Sequence, residues 1–182
     1  IFMIKHNSSI VNVLLFTPSG IATIIQQQLN VPTAWFSSSQ IGISNDGDKL
    51  SYVVYEQNTL NSSVIIADFD RCSGILSNDT SILITQNQYL WGLTFSPSDD
   101  FIYTCSSSNI FQIDTDSLTV DTVASYDGFI SPPGQTCCAT SFFNMYLAAN
   151  AKIYITSGSS VQHLHEMNYP DSAGIACDVQ QH

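Results

Sequence analysis

Cations are nearly absent from this 182-residue sequence: Lys5, Lys49, Arg71 and Lys152 stand against 15 acids, for a net charge of −11. Four scattered cations cannot form the basic stripe that tracks phosphates, which excludes nucleic-acid binding. An anionic membrane surface would repel the chain, so no membrane insertion is expected. Glutamate is scarcer still: thirteen of the acids are Asp, and only Glu56 and Glu166 are Glu. Asp favours turns where Glu favours helices, so strands and turns are expected. Charged residues make up only 10% of the chain, and Ser, Thr, Asn and Gln supply its polarity instead. That balance suits a secreted or cell-surface β-protein. The 44% apolar content is enough for a substantial core.

Catalytic signatures are missing too. There is no GxSxG, no Gly-rich phosphate loop, and no His or Asp placed to suggest a triad. The chain therefore reads as non-enzymatic. No CxxC occurs, and no Cys/His spacing fits a zinc site. The cysteines are Cys72, Cys105, Cys137, Cys138 and Cys177. One or two bridges are expected in an oxidising compartment. Cys177 with Cys137 or Cys138 is the expected pair, because adjacent cysteines bond to each other only with strain. The alternative is buried free thiols. The opening "IFMIKHNSSI" is too short for a membrane span and lacks the charged region and cleavage site of a signal peptide. A mature or truncated piece of a longer chain is expected.

A repeat organises what is present. Ser44 in "GISNDGDKLSY", Ser96 in "TFSPSDDFIYT" and Ala148 in "YLAANAKIYIT" lie about 52 residues apart. Each follows an apolar residue (Ile43, Phe95, Leu147) and precedes a turn and an alternating apolar strand. A period of this length with several short strands per unit is the signature of propeller blades. The middle unit parses into strands at Leu90 to Phe95, Phe101 to Cys105, Ile110 to Asp114 and Val120 to Ser125. The unit before it offers "WFSSSQIGI", "KLSYVVYEQ", "SVIIADFD" and "SILITQ", and the unit after it "SFFNMYLA", "KIYITS", "VQHLHEMN" and "ACDVQQ". The expected fold is an all-β partial β-propeller of about three and a half four-stranded antiparallel blades. Residues 1–34 form a partial blade, 35–88 and 89–138 two blades, and 139–182 a last blade that need not be complete.

Further motifs carry a family resemblance. "FDRCSG" (Phe69–Gly74), "WGLTFSPSDDFIY" (Trp91–Tyr103), "IFQID" (Ile110–Asp114), "YDGF" (Tyr126–Phe129) and "YLAANAKIYI" (Tyr146–Ile155) occur in this order, followed by "HLHEMNYPDSAGIACDVQQH" (His163–His182). Together they resemble the propeller-like region of large secreted or cell-surface Bacteroidetes proteins. Those proteins often carry immunoglobulin-like repeats and end in a type IX secretion, gliding-motility-associated sorting domain. The resemblance covers residues 35–182. Ala149-Asn150-Ala151-Lys152 departs from the family's Pro-Asp-Gly-Lys turn, and Ser98-Asp99 stands where Asp-Gly is common. The resemblance implies a secreted or surface location on the exterior of the outer membrane, no established reaction, and no catalytic residue to carry over. The family pattern normally continues past His182.

Several residues are candidates for chemistry, each with a structural alternative. His163 and His165, two apart on an expected strand, could bind a divalent metal with Glu166 or Asp178 nearby; otherwise they are structural blade-edge residues. Asn45, Asp46 and Asp48 could suggest a Ca²⁺ loop, or simply a hairpin turn, and Asp99-Asp100 is similar. Asp68, Asp70 and Arg71 read as blade-to-blade fixing or as an anion contact. Trp35, Tyr89 and Trp91 read as core wedges or sugar platforms. "DSL", "DTV" and "DSA" match the Bacteroidetes O-glycosylation pattern with Ser117, Thr122 and Ser172 as acceptors. Asn7, Asn61 and Asn78 begin N-x-Ser/Thr sequons, relevant only in a eukaryotic secretory host.

The expected function is a non-enzymatic propeller module for adhesion, scaffolding or partner binding. Its partners would be other domains of the same longer chain, another cell-surface protein, or a glycan. No cofactor is expected beyond Ca²⁺ or another divalent metal. Two alternatives are a lactonase-like hydrolase with a metal in the central channel, held by residues such as Asn144, and a carbohydrate-binding propeller. The first fails if the inner strands converge on apolar or Ser side chains. The second requires an exposed Trp or Tyr in a cleft.

Overall fold

A computed structural model describes residues 1–5, 7–32, 40–131 and 137–182. The strands form four antiparallel meanders, each in chain order. The first contains β1 (Phe2–Ile4), β2 (Ile10–Thr17) and β3 (Gly20–Gln28). The second contains β4 (Ile41–Ile43), β5 (Lys49–Glu56), β6 (Asn61–Asp70) and β7 (Ile75–Gln86). The third runs through β8 (Leu93–Phe95), β9 (Phe101–Cys105), β10 (Asn109–Asp114) and β11 (Val120–Ser125). The fourth comprises β12 (Phe142–Leu147), β13 (Ile153–Ser157), β14 (His165–Met167) and β15 (Val179–Gln180), with a 3-10 turn at Gly174–Cys177.

Sheet stacking follows from strands that are apolar on both faces. In β5, Tyr52 and Val54 pack with Val11 and Val13 of the first sheet, while the intervening Val53 packs with Leu93, Phe95 and Ile102 of the third. Tyr103, Cys105 and Ile110 then meet Phe142, Met145 and Ile155 of the fourth. Each such aliphatic or aromatic side chain contributes roughly 1.5–3 kcal/mol on full burial. The short first strand β8 contacts the first strands β4 and β12 on either side, and the last strand β3 contacts the last strand β7. Sheets stacked face to face with their first strands gathered together are blades of a β-propeller, as the repeat implies.

The repeat also sets the turns. Ser44 N–H bonds the Lys49 carbonyl at 3.0 Å, Ser96 N–H the Phe101 carbonyl at 2.8 Å, and Ala148 N–H the Lys152 carbonyl at 2.9 Å. The third turn thus closes one residue earlier. Three residues after each starting point the chain is left-handed: Gly47 at φ 78°, Asp99 at 66° and Ala151 at 61°. Glycine takes this conformation freely, and alanine adopts it only with strain.

Two segments depart from the sequence reading. β7 starts at Ile75 rather than Ser81, because turn-like Asn78 and Asp79 are absorbed in a bulge, with Asn78 at φ 52°. β14 is shorter than "VQHLHEMN", so His163 lies in the preceding loop and only His165 lies on the strand. The "WFSS" stretch with Trp35 lies outside the described residues.

Candidate functional site: the inner strands and their loops

The gathered first strands line a cleft of about 370 Å³ that includes Ile43, Thr94, Phe95, Met145 and Tyr146. Gln40 and Asn45 also line it, and no carboxylate among the described residues does. Gln40 spans it. Its amide nitrogen donates to the Met145 carbonyl at 2.9 Å, and its oxygen accepts from Met145 N–H at 2.7 Å and Leu93 N–H at 3.3 Å. Its own N–H bonds the Trp91 carbonyl at 3.1 Å. One neutral side chain therefore joins three blades. Gly92 permits this close approach: a Cβ there would lie 2.6 Å from the Phe143 carbonyl oxygen. Asn144 has its backbone N–H on Thr156 Oγ1 at 3.1 Å. Among the described residues, no group of three or more His, Cys, Asp or Glu could hold a metal ion.

The acidic turns serve as inter-blade ties. Asp99 Oδ1 accepts from Asn45 N–H and Asn45 Nδ2, both at 2.8 Å, and its Oδ2 accepts from Asp46 N–H at 3.0 Å. Asp171 Oδ1 accepts from Ser98 N–H at 2.9 Å, linking the fourth blade to the third. Asp46 takes bonds from the Ser44 hydroxyl and Asp48 N–H, which lower its pKa in that order of importance. Asn45, Asp46 and Asp48 thus build and dock a hairpin turn. Asp100 closes the neighbouring loop through its carbonyl, which accepts from Thr115 N–H at 2.9 Å.

Arg71 pairs with Asp48 at 3.4 Å, and Lys49 with Asp68 at 3.5 Å. Both pairs lie within the second sheet, so the expected blade-to-blade fixing by Asp68, Asp70 and Arg71 is corrected to bracing within one blade. Asp70 accepts from the Ser73 hydroxyl and Cys72 N–H, and these lower its pKa.

His163 and His165 sit in different surroundings. His165 is fully buried. Its Nε2 lies 2.6 Å from the Thr140 carbonyl, which can only accept, so Nε2 carries the proton. Its Nδ1 accepts from His182 N–H at 3.3 Å. Both ring nitrogens are engaged, which leaves no lone pair for a metal. His163 instead meets the Phe129 ring edge-on at 5.4 Å. Glu166 is paired with Lys152, and Asp178 Oδ2 accepts from Asn168 Nδ2 at 2.8 Å.

Burial lowers the pKa of His165 below 6.5, against the smaller upward pull of the Thr140 carbonyl; His182 and His163 also disfavour its charge, and Asp127 favours it. The unfolded chain therefore takes up this proton first as pH falls through about 6.5. The stability from neutral His165 is complete above that pH and declines as pH drops toward the folded pKa. The urea midpoint should fall between about pH 7 and 5.5, and His165→Gln should flatten that slope at lower overall stability. The depressed pKa values of Asp46, Asp70 and Glu166 act separately, because their stabilisation is lost only below about pH 4.

The cysteines depart from the expected pairing. Cys137 bonds to its neighbour Cys138, not to Cys177. Cys177 is a free thiol buried between the third and fourth blades, where burial pushes its pKa up to about 11. Cys105 is likewise buried, pushed up to about 12, and donates to the Phe143 carbonyl at 3.0 Å. Cys72 is free and exposed.

Tyr89 and Trp91 belong to an aromatic row. Tyr55–Tyr89, Tyr89–Trp91 and Trp91–Phe143 have centroid separations of 4.3, 5.8 and 5.2 Å, so the row bridges the second to the fourth blade. Ser117 and Thr122 are exposed and Ser172 is half-buried. Of the sequon residues, Asn61 accepts from Gln86 and Asn78 donates to Asp68, while Asn7 is exposed at φ 54°.

Sequence reasoning missed three residues whose side chains tie blades together: Gln40, Gln112 and Asp171. Gln112 Nε2 donates to Tyr103 Oη at 2.5 Å and to the Ser172 carbonyl at 2.8 Å, and its Oε1 accepts from Gly174 N–H at 2.7 Å. Tyr103 Oη in turn donates to the Pro170 carbonyl at 2.7 Å. A Gln in a polar chain carries no sequence signal for such a role.

No family model and no curated protein matches the sequence. Solved structures do. Hydrazine synthase of Kuenenia stuttgartiensis is 15% identical with a TM-score of 0.59, covering 96% of this chain and 53% of that one. The periplasmic gluconolactonase of Pseudomonas aeruginosa is 11% identical with a TM-score of 0.61, covering 92% and 49%. U3-55K is 11% identical with a TM-score of 0.56, covering 94% and 46%. The chain spans about half the length of these structures, and the likeness is one of propeller fold. No helix among the described residues is long and apolar enough to cross a membrane.

Proposed function

We propose that this chain is a non-enzymatic propeller module of a secreted or cell-surface protein, a rigid platform for adhesion or partner binding. One observation carries the reading: the side chains with chemical potential are committed to holding the blades. His165 has both ring nitrogens on backbone groups, Asp99 has both oxygens on the neighbouring turn, and the Gln40 amide joins three inner strands. Among the described residues, no carboxylate lines the inner-strand cleft, which disfavours a metal-dependent lactonase. The acidic, Lys-poor composition and the resemblance to Bacteroidetes surface propellers support the extracellular placement.

Turnover of δ-gluconolactone and a chromogenic ester, measured on the purified natural protein with and without Ca²⁺ and Zn²⁺, tests this reading. No metal-dependent turnover and no metal-induced rise in Tm are expected. Hydrolysis that appears on adding either ion and disappears with chelator would overturn it.

A further inference from the structure

A second cleft lies away from the inner strands, on the fourth blade. It is about 300 Å³ in volume and is lined by Asn150, Lys152, Asn168, Tyr169, Asp171 and Ser172. That is the lower end of the range for small-ligand sites, about 300–1,000 Å³. Tyr169 is 62% exposed there, unlike the tyrosines that fill the core.

The exposed ring stands on an immobilised turn. Tyr169 N–H bonds the Cys177 carbonyl at 3.0 Å, and its carbonyl accepts from Ser172 N–H at 2.9 Å. The next residue, Pro170, is buried, with its carbonyl on the Tyr103 hydroxyl at 2.7 Å. Gln112 holds the Ser172 carbonyl and the Gly174 N–H from below. An aromatic face set on a rigid turn loses little conformational entropy when a ligand stacks on it.

The polar groups around the ring are also fixed. Lys152 Nζ bonds Glu166 and, at 2.7 Å, Asn168 Oδ1; Asn168 Nδ2 bonds Asp178 Oδ2; and Asn150 Nδ2 bonds Tyr154 Oη at 3.0 Å. Asp171 Oδ1 accepts from Ser98 N–H, and its Oδ2 accepts from no other described group. The cleft therefore combines one apolar ring with amides, a carboxylate oxygen and an ammonium whose charge Glu166 offsets.

We infer that this cleft binds a neutral pyranose, with the sugar's C–H face on Tyr169 and its hydroxyls on Asn150, Lys152 and Asp171. Phosphorylated and uronic sugars are disfavoured, because the chain carries a net charge of −11 and Lys152 is already paired. The inference rests on the platform reading above and gives it a ligand class.

Saturation-transfer NMR on the same protein, with methyl β-galactopyranoside, methyl α-mannopyranoside and N-acetylglucosamine tested one at a time, decides it. At least one should receive saturation on its ring protons with millimolar affinity. Tyr169→Ala should reduce that transfer at least fivefold, whereas Tyr169→Phe, which keeps the platform, should retain most of it. No transfer to any of the three sugars, transfer unchanged by Tyr169→Ala, or an equal loss in Tyr169→Phe would overturn the site. These outcomes are independent of the metal-dependent turnover that tests the platform reading.

Discussion

Gln40→Leu should lower the urea midpoint by an amount equivalent to about 2–3 kcal/mol, one of the largest losses available from a residue that is not fully buried. Leucine matches the amide in size but leaves the Met145 carbonyl and N–H and the Leu93 N–H without their partner. A buried backbone group left unpaired costs about 1–3 kcal/mol. Partial access of water to Gln40 keeps the total below a simple sum. Gln40→Glu separates geometry from chemistry. At neutral pH its carboxylate can still accept from Met145 N–H but repels the Met145 carbonyl. At pH 4 the protonated acid regains a donor, so the deficit of Gln40→Glu relative to wild type should shrink on acidification. A loss below about 0.5 kcal/mol for Gln40→Leu would show that the inner strands hold together by packing alone.

The same device recurs at each inter-blade seam. Gln27 of the first sheet donates to the Gly74 carbonyl and accepts from Leu76 N–H of the second. Gln181 donates to the Ser125 carbonyl and accepts from Asp127 N–H, tying the fourth blade to the third. An amide can satisfy one carbonyl and one N–H at once, without the desolvation cost of a buried charge. This gives physical content to a composition poor in charge and rich in neutral polar residues: amide and Asp side chains join the blades through backbone groups, and the Lys and Arg ion pairs brace single blades.

That division explains what was legible in advance. The equivalence of Ser44, Ser96 and Ala148 could be read because it rests on local pattern, an apolar residue, a small one and a turn, and pattern survives in one sequence. The bounds of β9 and β11 follow directly from alternation. The partners of Gln40, Asp99 and Asp171 could not be read, because Gln40 meets Met145 at a separation of 105 residues and the acceptor is backbone, which carries no residue identity. His163 and His165 were misleading for a related reason. Their spacing fits one strand face, but β14 begins only at His165, where the neighbouring β13 offers Ile155 as its partner. The pairing of Cys137 with Cys138 was hidden because a prior against adjacent bridges says nothing about where Cys177 lies, and Cys177 lies in the core.

Gln112→Leu should cost at least as much as Gln40→Leu, about 2–4 kcal/mol, because Gln112 is only 2% exposed, while water has partial access to Ser172 and Gly174. The substitution orphans the Ser172 carbonyl and Gly174 N–H and removes the donor to Tyr103 Oη. Tyr103→Phe, which removes only the bond to the Pro170 carbonyl and the acceptor for Gln112, should cost less, about 1–2 kcal/mol. Because the two side chains share one network, the double variant should be less destabilised than the sum of the singles by about 1 kcal/mol, read from a double-mutant cycle in urea. Additive losses would mean that the two groups act separately. The loop they hold carries Tyr169, so Gln112→Leu should also speed hydrogen exchange at Gly174 and weaken sugar binding, although Gln112 itself does not line the cleft. A protein that loses stability but keeps both the exchange rate and the affinity would show that the loop is set by Pro170 and its own turn, and that the buried amide serves the core alone.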